Sequence, residues 1–109
     1  PKDRVEYANV YFRELNDEKK SIEILMNMKN VFLKMENMIK IKGFSNNSVS
    51  RNNWNTWQKI YPDVVSSLVY IYNATSQKLE AEGVLVDWIS RFPNDNNAKQ
   101  MLEDLRIKN

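Results

Sequence analysis

The sequence predicts an all-α fold of antiparallel helical hairpins, stacked as a short array of about five to six helices. Three observations carry that expectation. Apolar residues recur at three- and four-residue steps in most segments, and no segment alternates as a half-buried strand does. Only two Gly and three Pro punctuate the chain, so few helices are interrupted from within. The polar breaks between apolar stripes are mostly short, and short breaks between helices force them to fold back on each other.

The first helix is expected over Arg4–Leu15, with Val5, Ala8, Phe12 and Leu15 on one side and Tyr7 and Tyr11 flanking them. Asn16-Asp17 breaks it and supplies good N-caps for the next helix. That helix is long, running from about Glu18 to Lys42, and is carried by Ile22, Leu25, Met28, Phe32, Met35 and Ile39. Gly43 is placed to end it as a left-handed C-cap, with Phe44 as the accompanying apolar contact. Ser45–Asn53 (SNNSVSRNN) reads as a loop and as the segment most prone to be mobile. Trp54, Trp57 and Ile60 give a short helical stripe. Pro62, a residue suited to a first helical turn, is expected to start a separate helix reaching Thr75.

After Thr75-Ser76-Gln77 another helix covers Lys78–Phe92, with Ala81, Leu85, Trp88, Ile89 and Phe92 as its stripe. Gly83 inside it costs about 1 kcal/mol relative to Ala, a sign of either close packing or tolerance. Pro93-Asn94-Asp95 stops that helix, and Asn96–Ile107 forms the last. Its apolar side is Ala98, Met101, Leu102 and Leu105; Lys99, Gln100, Glu103, Asp104 and Arg106 face outward. One greasy and one charged side suit a helix that caps a stacked array.

Composition bounds the chemistry. At 109 residues and 42% apolar, the chain fits a single α-helical domain, 1–109, with one core. The formal charge of +2 barely favours an anionic partner. Without Cys there is no disulfide, thiolate nucleophile or zinc–thiolate site, and without His the usual proton shuttle and metal ligand is missing. The close carboxylate pairs, Glu80/Glu82 and Glu103/Asp104, diverge on a helix and do not converge for acid/base work. A non-catalytic protein with no cofactor and no metal is therefore expected. No apolar run approaches the roughly 20 residues that span a bilayer. The chain opens on Pro1, and it is expected to be a piece of a longer protein.

The stretch from Val65 to Pro93 has a further pattern: Val65-x2-Leu68-Val69-x2-Tyr72, then Ala81-x3-Leu85, then Pro93. It resembles the tetratricopeptide repeat, and Pro62–Asp95 supplies that repeat's length without a gap. Val69 stands where Gly is usual, Ser76 takes the turn glycine's place, and Trp88 sits where a small residue is common. A looser echo lies in residues 1–33: Tyr7-Ala8-x2-Tyr11, then Ser21-Ile22-x2-Leu25, with one extra residue in the turn and no closing Pro.

The resemblance implies that the first helix of each hairpin lines a concave surface holding a peptide or protein. On the later hairpin that surface is the stripe Asp63, Ser66, Tyr70 and Asn73, an aromatic ring among short polar groups. Asn9 and Phe12 extend it on the earlier one. The alternative is that Tyr70 and Phe12 pack against neighbouring helices. Trp54 and Trp57, beside Arg51, are a secondary anchor able to stack a sugar or base, or else fillers beneath the long helix. Met26, Met28, Met35 and Met38 suit core filling more than an adaptable groove. Lys34, Lys40, Lys42, Arg51 and Lys59 are diluted by Glu36 and Asp63 and read as a solvated face.

The expected function is a protein- or peptide-binding module using a helical groove. A structural bundle serving domain packing or self-association as a homo-oligomer is the first alternative. Weak nucleic-acid or glycan binding near Trp54 and Trp57 is the last.

Overall fold

The computed structural model describes residues 2–43 and 51–107. They form five helices: α1 (Lys2–Arg13), α2 (Glu18–Lys42), α3 (Arg51–Ala74), α4 (Lys78–Arg91) and α5 (Asn96–Ile107), with no strand among the described residues. Phe44 and positions 45–50 of the expected loop lie outside the described residues. The fold is all-α, built of helices that turn back on each other. Two compact units, Pro1–Val64 and Val65–Asn109, divide the chain within α3.

In the first unit, α1 and α2 pack as a hairpin. Val5 and Ala8 are buried from α1; Ser21, Leu25, Met28, Phe32 and Met35 are buried from α2 at four-, three-, four- and three-residue steps. Ala8 and Ser21 are small and wholly buried, so two backbones can approach closely there. The Ser21 hydroxyl donates to the Glu18 carbonyl at 2.7 Å, which removes the penalty of burying it. Leu15, expected on the α1 face, is instead 61% exposed. The helix ends at Arg13 because Asn16 takes a left-handed φ of 57° and turns the chain. Asp17 then caps α2 as expected, its carboxylate accepting from the Lys20 amide at 3.1 Å. At the other end Gly43 has φ 67° and ψ −166°. The positive φ is as expected; the extended ψ makes it a region that only Gly enters freely, not a left-handed helical cap.

The third element departs most from the sequence expectation. The spacing predicts two helices, one on either side of Pro62, and places positions 51–53 in the loop. The structure has one helix from Arg51 to Ala74 with Pro62 inside it. The apolar face explains the continuity. Ile60, Tyr61, Val64, Val65 and Leu68 are all buried across the proline. Each such side chain contributes about 1.5–3 kcal/mol, together more than the ~3 kcal/mol that an interior proline costs. Phe32 of α2 stacks on Trp54 at 5.0 Å between ring centroids, and lies 4.3 Å from Tyr61. These rings seat the first half of α3 on α2.

In the second unit, α3 ends in a Schellman turn: the Gln77 amide donates to the Tyr72 carbonyl at 2.7 Å and the Ser76 amide to the Asn73 carbonyl at 3.4 Å. Ser76 holds the left-handed position at φ 61°. Thr75 Oγ1 also donates to the Ile71 carbonyl at 2.7 Å. The chain reverses within three residues, and α4 begins at Lys78. Val65, Leu68, Val69, Ile71 and Tyr72 are buried from α3, and Ala81, Val84, Leu85 and Trp88 from α4. An added Cβ at Gly83 meets nothing within 4 Å, so that glycine reflects tolerance and not close packing. Helix α5 packs on α4 through Ala98 and Leu105, with Met101 and Leu102 half-buried, the face the sequence predicts.

Candidate functional site

The C-terminal half of α3, the start of α4 and the face of α5 enclose a cleft of about 250 Å³. Its lining is Val69, Tyr70 and Asn73 from α3, Lys78 from α4, and Met101, Asp104 and Leu105 from α5. Val69 and Leu105 are buried and form an apolar floor, with Met101 half-buried beside them. Tyr70, at 57% exposure, and Asn73 stand on the rim. Lys78 and Asp104 add opposite charges there; the Asp104 carboxylate accepts from the Gln100 amide at 2.9 Å.

Tyr70 and Asn73 therefore come together as the stripe predicts. Ser66, one turn earlier, is half-buried and is not among the lining residues; Asp63 is exposed. Asn9 and Phe12 belong to the first unit, both half-buried on α1. Asn9 lines a separate hollow of about 290 Å³ with Glu6, Val10, Arg13 and Glu14. Trp54 stacks on Phe32, so one face of its indole is already occupied, while Trp57 is half-buried. The α5 contribution to the cleft is not anticipated by the sequence pattern. Met101 and Leu105 are legible as an apolar face, but only the tight α4–α5 turn hints that this face reaches the rim of Tyr70.

That turn is built on one carboxylate. Asp95 Oδ1 caps α5, accepting from the amides of Asn97 at 3.0 Å and Ala98 at 3.1 Å, while Oδ2 accepts from the Trp88 indole at 3.0 Å. Trp88 is 3% exposed, so its N–H needs that acceptor. Arg106 of α5 reaches Glu82 of α4 at 3.1 Å, a surface pair of small energetic weight. Tyr72, behind the rim, has its phenol pushed above the ordinary range by burial first and the negative charge of Glu80 second.

Among the described residues no three His, Cys, Asp or Glu side chains gather as a metal site, and no helix is long and apolar enough to cross a membrane. Comparisons with protein-family profiles, curated proteins and solved structures returned no match.

Proposed function

We propose that this chain is a non-catalytic protein- or peptide-binding module of tetratricopeptide-like hairpins, which grips an extended segment in the cleft between α3 and α5. The observation that carries this reading is the cleft itself: a buried apolar floor beneath an exposed phenol, an amide and two opposite charges. An extended peptide offers backbone hydrogen-bond groups to Asn73 and Tyr70 and a side chain to the floor. The repeat resemblance supports it. Val65, Leu68, Val69, Tyr72, Ala81 and Leu85 occupy the signature positions and are all buried, and Pro93 follows the end of α4. Ser21 in the looser repeat matches Ala81 as a small, wholly buried residue.

Selection from a displayed library of extended peptides tests the reading. The expected result is enrichment of sequences that shift the amide signals of Tyr70, Asn73 and Met101, and that are lost from Tyr70→Ala at unchanged helix content. Peptides retained equally by Tyr70→Ala, or no enrichment at all, overturn it.

A further inference from the structure

A second cleft, wholly within the first unit, has a different chemistry. It measures about 350 Å³ and is lined by Arg4, Tyr7 and Tyr11 of α1 and by Lys20, Glu23, Ile24 and Asn27 of α2. The short connection Glu14–Asp17 brings α2 back against α1, so that side chains of the two helices line one groove. Hydrogen-bond donors from both helices line the groove, with Glu23 as its carboxylate and Ile24 as its aliphatic side chain.

The donors exceed the acceptors present. The Tyr7 and Tyr11 hydroxyls lie 3.3 Å apart, so one proton serves the pair and the other hydroxyl proton has no acceptor among the described residues. Lys20 sits 3.6 Å from Glu23 and matches that carboxylate's charge. Arg4 is exposed and makes no ion pair or hydrogen bond among the described residues, and the Asn27 carboxamide likewise has no partner there. Glu6, the nearest other α1 carboxylate in sequence to Tyr7, lines the separate hollow with Asn9. The Tyr11 phenol is raised above its ordinary range, first by its hydrogen bond with Tyr7.

We infer that this groove binds an organic oxyanion, a carboxylate or phosphate held by Arg4, Asn27 and the tyrosine hydroxyls, with an apolar body laid against Ile24 and the Tyr7 ring. A guanidinium forks onto two oxygens of such a group, and the amide and phenol add single bonds. The site is independent of the α3–α5 cleft and does not rest on the function proposed for it.

The test is an NMR titration with three probes that share a phenylpropyl body: 4-phenylbutyrate, 3-phenylpropyl phosphate and the neutral 4-phenylbutanamide. At least one oxyanion is expected to shift the Arg4 Nε–H, the Asn27 side-chain amide and the Ile24 methyl signals saturably in the millimolar range, while the neutral amide leaves them in place. Which oxyanion binds identifies the ligand as a carboxylic acid or a phosphate ester. Arg4→Gln, at an exposed position, is expected to keep the helical spectrum and weaken binding by at least about tenfold. The inference is overturned if neither oxyanion moves these signals, if the amide moves them equally, or if Arg4→Gln binds as well as the native chain.

Discussion

Asp95 joins two helices through one side chain. Trp88 is buried, and its indole is accommodated because Oδ2 of Asp95 accepts a hydrogen bond from its N–H at 3.0 Å. The other oxygen closes the first turn of α5. Asp95→Ala removes a helix cap, about 1 kcal/mol, and strands a buried donor, about 1–3 kcal/mol. A total loss of about 2–4 kcal/mol is expected, read from the urea midpoint at constant slope. Asp95→Asn keeps the cap but sets an amide N–H₂ or a misaligned oxygen against the indole, so it should fall between the native chain and Asp95→Ala. Equal midpoints for the native chain and Asp95→Ala would mean that water replaces both bonds, and the link between α4 and α5 would have to be sought elsewhere.

The elements show what is legible in the chain and what is not. Helix α2 matches its expected bounds because both ends carry local chemistry: the Asp17 cap and the positive φ of Gly43. The α3–α4 reversal is equally readable, since Thr75-Ser76-Gln77 interrupts two stripes that are each buried in the structure. Pro62 misleads because its local preference for a first turn competes with a long-range effect invisible in spacing, the burial of Tyr61 beside Phe32. Only half of the cleft is legible for the same reason. Tyr70 and Asn73 share a face of α3 by spacing alone, whereas the positions of Met101 and Leu105 across from them depend on how α5 leaves the Asp95 turn. If burial holds α3 continuous against its proline, Pro62→Ala restores an amide donor at no steric cost. It should stabilise the fold by about 2–2.6 kcal/mol, the interior-proline cost less the entropy regained by the unfolded chain. A drop in stability instead would make the half-buried proline ring a packing element of the first unit's core.

At the scale of the whole molecule, the absence of His leaves no side chain with an ordinary pKa between about pH 5 and 8. Stability should therefore be level across that window, and the pH dependence moves to alkaline solution. There Tyr72 is the informative group. Its phenol is raised in the folded protein by burial and by Glu80, while in the unfolded chain it titrates near its ordinary value of about 10. Between those two values the folded state holds the proton and the unfolded state has lost it, so stability falls as pH rises. The contribution is complete below the unfolded pKa and gone above the folded one. Tyr11 is raised in the same direction, first by its bond with Tyr7, but it is not buried like Tyr72. Urea titrations at a series of pH values from about 8 upward, through the unfolded tyrosine value, should show a decline that is shallower in Tyr72→Phe than in Tyr11→Phe. The phenylalanine keeps a buried ring and removes the ionisable hydroxyl. An alkaline slope that Tyr72→Phe leaves unchanged would assign the decline to general loss of lysine charge. Burial of Tyr72 would then carry no electrostatic cost.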